Sequence, residues 1–311
     1  MQNTLLVILG PTGVGKTDLS VDLGLHFKTE IISCDSRQFY REMSVGTSPP
    51  AESQLRRIRH HFIQFISVKD YYSSSLFERD VLRLLPELFI SGNIVLMTGG
   101  SGLYADAVCA GIDEIPDVDL SIREKYSRKF AEEGIESLRV ALRILDPDHY
   151  TKVDLKNPKR IIRALEICET TGRPYSSFLT MTKRKRDFRV IKVGLNRPRE
   201  ELYYRINSRV DLMIELGLER EARDLLGMRN FNALNTVGYK EFFDYFDGIH
   251  SREKAIELIR RNTRRYAKRQ LTWWSKDNSI RWFHPDDKEE IIRYIEKAAG
   301  YNQSMPVASR L

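Results

Sequence analysis

A glycine-rich loop near the start of the chain limits the possible folds more than any other feature of the sequence. The loop lies between an apolar run over residues 4–9 and an amphipathic stretch over residues 17–27. It has the spacing G-x-x-x-x-G-K-[ST] and consists of Gly10, Pro11, Thr12, Gly13, Val14, Gly15, Lys16 and Thr17. A strand, this loop and a helix in that order predict a phosphate-binding loop that holds a di- or triphosphate.

The residue types of the loop suit a phosphate ligand. Glycines allow backbone N–H groups to converge on phosphate oxygens, and the helix N-terminus adds positive potential. We expect Lys16 to supply a charge and the Thr17 hydroxyl to bind Mg²⁺. The loop leaves the reaction open, because ATPases, kinases and transferases share it. The strand predicted at residues 94–97 ends in Thr98 and two glycines instead of a metal-binding Asp, which disfavours a nucleotide hydrolase.

The remaining apolar pattern predicts an α/β fold. Short apolar runs at residues 31–34, 62–66 and 94–97 predict strands, and residues 76–89 have helical periodicity. Alternating strands and helices form parallel sheets that are covered by helices. We therefore predict a parallel sheet core like that of P-loop NTPases.

A helical segment interrupts this core. The pattern after about residue 113 is helical only, until a strand is predicted at residues 190–195 and a long helix at residues 253–274. We predict three parts: a first core part over residues 1–112, an inserted all-helical lobe over residues 113–189, and a second, helix-rich core part over residues 190–311.

Charge and composition favour a polyanionic partner in the cytoplasm. The net charge is +7 and the sequence pI is about 9.2, and six basic residues fall in one acid-free stretch over residues 260–269. No apolar run is long enough to span a bilayer and no signal peptide is recognised, so we expect a cytoplasmic protein. Cys34, Cys109 and Cys168 have no disulfide or metal-site spacing, and we expect them to be small buried hydrophobes.

An acid ends the second predicted strand. Asp35 follows the apolar run at residues 31–34, so we expect it beside the phosphate loop at the sheet edge where open α/β sheets bind ligands. This makes Asp35 the best candidate for a catalytic acid or base. An Asp at a strand end also caps turns or binds Mg²⁺, and the residues alone leave those alternatives open.

Several motifs together resemble the tRNA dimethylallyltransferase family, the IPP transferases. Two of them are the phosphate loop and the pattern Asp35-Ser36-x-Gln38-x-Tyr40. The others occur in the family's order at residues 98–104, 157–166, 199–209, 238–241 and 263–270. The resemblance extends from residue 5 to about residue 275. One departure is Gly13, where the family usually has alanine.

The resemblance implies a reaction. The family transfers a dimethylallyl group from dimethylallyl diphosphate to N6 of adenosine 37 in tRNAs that decode codons beginning with U, and it releases diphosphate. Asp35 matches the family's base, and Lys16, Arg205, Thr98 and Mg²⁺ on Thr17 are implied at the departing diphosphate. Two further arginines of the same predicted helix, Arg199 and Arg209, are either helpers of Arg205 or part of an exposed basic stripe.

The resemblance also implies two groups of residues that contact tRNA. The first group lies in the core and comprises Asp35, Ser36, Arg37, Gln38 and Ser101. The second group lies in the helical lobe, where solvated charge is the alternative, and comprises Arg123, Lys159, Arg160, Ile161, Ile162 and Arg163. The basic run at residues 183–186 matches no family motif and is interpreted as a general phosphate-attracting patch. Helical spacing favours a core position for Tyr266, Trp273 and Trp274.

Other functions share the phosphate loop. A P-loop small-molecule kinase and an adenylate isopentenyltransferase would use the same loop, Mg²⁺ and acid, but neither needs a basic helical lobe. An RNA-binding protein that uses a nucleotide as a switch would bind nucleotide without prenyl chemistry. Strong, salt-sensitive tRNA binding together with prenyl transfer distinguishes the transferase. We expect a monomer without an obligate protein partner.

Overall fold

The described part of the chain contains one parallel β-sheet. The structure is a computed structural model that describes residues 2–113, 115–116, 118–180 and 184–301. The six strands in these residues are β1 Thr4–Leu9, β2 Ile31–Ser33, β3 His60–His61, β4 Ile94–Gly99, β5 Arg189–Leu195 and β6 Ile280–Phe283. Their order across the sheet is β3-β2-β4-β1-β5-β6, and all five pairings are parallel.

Twelve α-helices occur in the described residues. They are α1 Lys16–Phe27, α2 Glu52–Leu55, α3 Ser74–Ser91, α4 Gly102–Ala110, α5 Leu120–Leu145, α6 Pro147–Tyr150, α7 Pro158–Thr171, α8 Arg199–Glu215, α9 Leu218–Asp224, α10 Tyr239–Phe246, α11 Arg252–Trp274 and α12 Lys288–Ala299. No helix in the described ranges is long and apolar enough to cross a membrane.

The chain divides into two compact units. The larger one, which we call the core unit, runs to Cys109 and resumes at Arg186, and it contains the whole sheet. The smaller one, the helical unit, spans Ala110–Lys185 and contains α5, α6 and α7. The helical unit therefore begins at residue 110 and ends at residue 185, where the sequence predicts 113 and 189.

Strand β1 lies in the middle of the core unit and is buried over its whole length. Its side chains alternate between two hydrophobic clusters: Leu5 and Val7 face one, and Leu6 and Ile8 face the other. This is the pattern of a strand with helices on both faces of the sheet. The three cysteines are buried and free, as predicted.

The strand order sets the positions of the functional motifs. Leu9 pairs with Gly99, and Ser33 pairs with Thr98, so β1, β4 and β2 end side by side. The loop after β1, Asp35 after β2 and Thr98 in β4 therefore share one edge of the sheet. Asp35 is predicted beside the loop and lies at the same sheet edge, although β4 separates their two strands.

The helical unit has a core of its own, and α5 packs against α7 around it. Helix α5 is kinked at Gly134, whose φ of 76° is a left-handed value that favours glycine. The Asp146 carboxylate is fully buried and accepts hydrogen bonds from the backbone N–H groups of His149 and Ser176, at 2.9 and 2.7 Å. These bonds fix the start of α6 against the segment after α7.

The predicted fold class is confirmed, and three local elements differ from the prediction. The apolar run at residues 62–66 forms no regular strand, since Phe62 and Gln64 have positive φ values of 61° and 48° and the strand β3 precedes them. Neither β6 nor α12 is predicted from the sequence. Strand β6 has only four residues, two of them at least partly exposed, which gives a weak apolar signal.

Candidate functional site

The phosphate loop has the backbone shape that its glycines predict. Gly13 and Gly15 have φ values of 80° and 109°, which side chains with a Cβ rarely adopt. Helix α1 begins at Lys16, so the backbone N–H groups of its first turn face the loop. Lys16 Nζ donates hydrogen bonds to the carbonyl oxygens of Gly10 at 2.8 Å and Pro11 at 3.0 Å. The ammonium group is thereby held inside the loop.

Three side chains from distant segments fix the loop from outside. Gln270 of α11 accepts a hydrogen bond from Thr12 N–H at 2.8 Å and donates one to the Gly100 carbonyl at 2.8 Å. Arg205 Nε of α8 donates to the Gly13 carbonyl at 2.9 Å. Just before α8, Arg197 Nε donates to the Val14 carbonyl, also at 2.9 Å. Two guanidinium groups next to the loop add to its positive potential.

Arg197 and Gln270 are functional candidates that no sequence motif predicts. The Arg197 side chain is only 7% exposed and is paired with Asp286 at 2.6 Å and with Glu201. Gln270 is buried on a helix that otherwise carries many exposed basic residues. A single polar residue on the buried face of a helix indicates a hydrogen-bonding role. This indication can be recognised only when the buried face of α11 is known.

A cavity of about 440 Å³ opens beside the loop. Its lining residues come from the loop, α1 and α8, and they are Gly13, Gly15, Lys16, Thr17, Asp18, Tyr204, Arg205, Ser208, Arg209 and Leu212. We call it the loop cavity. Of the predicted diphosphate ligands it includes Gly13, Gly15, Lys16, Thr17 and Arg205, whereas the Gly10 and Pro11 carbonyls contact Lys16 and the Thr12 N–H is bonded to Gln270.

Burial lowers the pKa of Lys16 to about 8, although the nearby Asp35 carboxylate opposes that shift. The ammonium form therefore predominates below pH 8 and is lost above it. We expect binding of dimethylallyl diphosphate without tRNA to weaken roughly tenfold per pH unit above about pH 8, because a bound anion favours the protonated lysine. The terminal phosphate ionises near pH 6, about two units lower, and does not obscure this change.

Calorimetric titration between pH 7 and 9.5 measures this dependence. Lys16→Met, which has no ammonium group, is the control and should give weak binding with a flat profile. A wild-type profile that is equally flat would mean that Lys16 is not the group that titrates on binding.

The acid after β2 lies at a second cavity. Asp35 Oδ1 accepts a hydrogen bond from the Arg37 N–H at 3.1 Å, and its other oxygen approaches Gly100, where a Cβ atom would lie 3.4 Å away. The Thr98 hydroxyl is nearly buried and donates a hydrogen bond of 3.4 Å to the Ile8 carbonyl. Asp35 is therefore more accessible to a ligand than Thr98 is.

This second cavity, which we call the large cavity, has a volume of about 750 Å³. Its polar wall includes Thr12, Asp35, Ser36 and Arg37, and a row of arginines one helical turn apart on α11 forms another wall: Arg261, Arg265 and Arg269. Tyr266 also lines it, so the prediction that Tyr266 is a core residue is wrong. Burial and the neighbouring Asp35 raise the pKa of Tyr266, which keeps its hydroxyl protonated.

The two cavities meet at Arg209. This residue of α8 lines both of them, one turn after Arg205. Burial lowers the pKa of Arg209, while Asp35 acts in the opposite direction. The sequence pattern predicts the same role for Arg209 and Arg199, but the structure separates them. Arg199 lines neither cavity, and its guanidinium lies 5.1 Å from the centre of the Tyr203 ring.

The predicted tRNA contacts of the core unit lie near Asp35 but already have partners within the protein. Ser36 N–H donates to Ser101 Oγ at 2.9 Å. The Arg37 guanidinium donates to the carbonyls of Asn232 and Ala233, and Gln38 Nε2 donates to the carbonyls of Thr47 and Ser48. Ser36 and Arg37 line the large cavity, whereas Gln38 does not.

The predicted tRNA contacts of the helical unit fall into two classes. Lys159 and Arg160 are exposed in the first turn of α7. Arg123 and Arg163 both pair with the buried Glu166, Arg123 at 2.8 Å and Arg163 at 3.4 Å. Ile161 is fully buried in the core of the helical unit, and Ile162 packs against that core. The Ile161 side chain is therefore not exposed, and the tRNA contact expected at this residue stays a prediction.

The basic run at residues 183–186 is not a uniform patch. Arg186 is nearly buried: it pairs with Glu78 at 2.6 Å and donates to the carbonyls of Ala107 and Val108, so it is an anchor within the core unit. Lys183 lies outside the described residues. Trp274 is a core residue as predicted, whereas Trp273 is 46% exposed and donates to Asp106.

The fold and the site define a P-loop protein in which a loop cavity adjoins a second, arginine-lined cavity with an acid at its wall. The sequence model of the family described as IPP transferase matches residues 38–277. A protein of Bacteroides thetaiotaomicron named tRNA dimethylallyltransferase 1 is 51% identical over 94% of this chain and 95% of its own length. The chain belongs to the IPP transferase family.

Solved structures agree with this assignment. The full-length tRNA isopentenylpyrophosphate transferase of Bacillus halodurans is 35% identical, with a TM-score of 0.69 over 96% of this chain and 97% of that one. A eukaryotic dimethylallyltransferase that was crystallised acting on tRNA is 25% identical, with a TM-score of 0.75 over 99% of this chain and 81% of that one.

Proposed function

We propose that this protein transfers the dimethylallyl group of dimethylallyl diphosphate to N6 of adenosine 37 in tRNAs that decode codons beginning with U. Diphosphate is the second product. The names of the relatives support the activity, and a tRNA substrate is consistent with a cytoplasmic location. The observation that carries the proposal is the junction of two cavities at Arg209, because it suits a diphosphate on one side and a nucleobase on the other.

Proton removal is the first chemical requirement. The N6 lone pair is delocalised into the purine, so the amine becomes a useful nucleophile only as its proton leaves. Asp35 lies at the wall of the large cavity and is the base in this proposal. The new bond joins N6 to C1 of the allyl group, and the N6 proton passes to an Asp35 carboxylate oxygen. The adenine must leave the base stack of the anticodon loop to reach this wall.

Departure of diphosphate is the second requirement. When the C1–O bond breaks, its electron pair leaves with the diphosphate, which gains negative charge. Lys16 and Arg205 line the loop cavity, and Arg209 lies at its junction with the large cavity. These cations and the loop N–H groups stabilise the departing anion. Thr98 lies near the end of β4. Its hydroxyl donates to the Ile8 carbonyl of β1 and so links the two strands at this edge of the sheet.

Thr17 is the residue of this chain that would hold Mg²⁺. Its side chain lines the loop cavity, and its hydroxyl makes no hydrogen bond to another residue in the described ranges, which fits a metal ligand. Among the described residues there is no cluster of three acidic, His or Cys side chains that could bind a metal, so Thr17 is the protein ligand that we would assign to the ion. Mg²⁺ would add positive charge at the leaving group.

Mass spectrometry of the tRNA tests the proposed function. The protein is incubated with dimethylallyl diphosphate, Mg²⁺ and unmodified tRNA, and the anticodon-loop fragments are weighed. One dimethylallyl group on the fragment that contains adenosine 37, with an equal amount of diphosphate, is the expected result. Transfer to free adenylate, or phosphorylation of a small molecule, would point to the alternative P-loop enzymes, and tRNA-dependent ATP hydrolysis without prenyl transfer would contradict the proposal.

The helical unit supplies a second prediction. Replacing Lys159 and Arg160 by Glu is expected to weaken tRNA binding and to reduce its salt dependence by roughly one unit of slope per lost phosphate contact. Both side chains are exposed, whereas Arg163 is left unchanged because it pairs with the buried Glu166. Diphosphate affinity should not change.

Filter-binding titrations at several salt concentrations measure how steeply the tRNA affinity falls with salt. In the matched control, two other exposed basic residues of the helical unit, Arg143 and Lys152, are replaced by Glu. This control changes the net charge by the same amount. If both double variants lose the same affinity, the effect is one of overall charge, and the first turn of α7 is not a specific contact.

A further inference from the structure

A carboxylate outside both cavities organises one wall of the large cavity. Glu221 of α9 is half-buried and accepts four hydrogen bonds. Three come from consecutive residues: Ser44 Oγ at 2.8 Å, Val45 N–H at 2.7 Å and Gly46 N–H at 2.9 Å. The fourth comes from the Tyr239 hydroxyl at 2.6 Å. All four donors are uncharged, so the contacts hold the backbone segment and do not pair ions.

Tyr239 supports the same segment by packing. Its side chain is fully buried, and its ring touches Gly46 so closely that a Cβ there would lie 2.5 Å from the hydroxyl oxygen. Burial and the Glu221 carboxylate raise the pKa of Tyr239, so its hydroxyl stays protonated and remains a donor. Glu221 and Tyr239 together fix residues 44–46 against α9 and α10.

The next two residues of the segment face the site. The carbonyls of Thr47 and Ser48 accept Gln38 Nε2 at 3.3 and 3.0 Å. The Ser48 carbonyl also accepts Arg209 Nη2 at 3.3 Å. Among the described residues this is the hydrogen bond that fixes the Arg209 guanidinium. Gly46 and Thr47 line the large cavity with Asp35.

We propose that Glu221 and Tyr239 are positioning residues for the transfer reaction, acting through segment 44–48 on Arg209. This inference rests on the proposed function, since the guanidinium of Arg209 stabilises the departing diphosphate only when it lies at the junction of the cavities. A displacement of about 1 Å at such a group is enough to cost about 100-fold in rate.

Glu221→Gln tests the proposal. An amide offers one acceptor oxygen and places an NH₂ group against donors, so at least one N–H of the segment loses its partner. We expect kcat to fall about 10- to 100-fold, with little change in KM for tRNA. Tyr239→Phe keeps the ring and loses one hydrogen bond, and it should lower kcat about 3- to 10-fold. It serves in place of the first variant if that one does not fold.

A double-mutant cycle separates positioning from general destabilisation. If Glu221 acts through Arg209, then Glu221→Gln in an Arg209→Ala background should cost about twofold or less. Glu219→Gln is the matched control on the same helix: Glu219 pairs with Arg252 and does not contact segment 44–48, so activity should be unchanged. Additive losses in the cycle, or an unchanged kcat in Glu221→Gln, would overturn the proposal.

The same cycle is informative without catalysis. Affinity for inorganic diphosphate, measured by calorimetry, should fall in Glu221→Gln and Arg209→Ala and should be non-additive in the double variant. If the wild-type protein transfers no prenyl group but this coupling is found, the proposed function fails and the positioning role stands. If transfer is found but the coupling is absent, the positioning role fails alone.

Discussion

Asp35→Asn is expected to lower kcat about 10²- to 10⁴-fold while tRNA affinity changes little. The amide oxygen can still accept the Arg37 N–H, which Asp35 Oδ1 accepts at 3.1 Å, so the turn after β2 is retained. What is lost is the basic oxygen that receives the N6 proton. Single-turnover transfer with saturating tRNA measures this step directly, and filter binding measures the affinity.

The pH of this experiment must be chosen with Lys16 in mind, because Asp35 influences the pKa of that lysine. Asp35 opposes the lowering of the Lys16 pKa, so its removal moves that pKa below 8. The assay therefore belongs at about pH 7 or below, and dimethylallyl diphosphate affinity should be measured in parallel. Asp22→Asn, a change on α1 at a partly exposed carboxylate that pairs with Lys288 outside both cavities, is the control. Normal turnover of Asp35→Asn would make Asp35 an orienting residue only.

The fold could be predicted from the sequence because its signals are local. The strand before Gly10 and the helix after Lys16 are adjacent in the chain, and the glycines between them have the positive φ values that their motif requires. Parallel strands buried on both faces give continuous apolar runs, as in Thr4–Leu9. Strand order is not local, and no pattern in the sequence shows that β4 lies between β1 and β2.

The candidate site was predictable only where function and motif coincide. Lys16 and Thr17 follow β1 through the phosphate loop and Asp35 comes two residues after β2, so short local segments place them at the sheet edge. Gln270 is 258 residues from Thr12 in the chain, and Arg197 is 183 residues from Val14. Such contacts depend on how helices pack on the sheet, and spacing along one helix does not reveal them.

Helical periodicity explains the incorrect predictions. It assigns residues to a face of a helix but does not say what that face contacts. Periodicity predicts a core position for both Tyr266 and Trp274, yet Tyr266 faces the large cavity. Ile161 shows the same limit: it follows two exposed basic residues, but its side chain points into the core of the helical unit. The prediction for Arg186 comes from charge and not from periodicity. Arg186 is predicted to attract phosphate, but it pairs with the buried Glu78 instead.

Lys16→Ala is expected to lower kcat about 10²- to 10³-fold, because it removes a charge from the position where the departing diphosphate becomes more negative. Arg205→Ala removes a second charge from the same cavity and should act on the same step. Single-turnover transfer at saturating dimethylallyl diphosphate isolates that step from donor binding. A rise in KM with unchanged kcat would mean that the two residues bind the donor and its transition state equally.

The fall in kcat of Lys16→Ala has two physical causes, the lost charge and a loosened loop, and a second substitution separates them. Lys16 Nζ stabilises the loop through its bonds to the Gly10 and Pro11 carbonyls, so alanine also loosens the loop. Lys16→Arg keeps a charge and donors near those carbonyls, but the larger guanidinium cannot sit at the same point. If charge at the leaving group dominates, this variant should recover part of kcat. If kcat of Lys16→Arg is as low as that of Lys16→Ala, the position of the ammonium group inside the loop matters more than its charge.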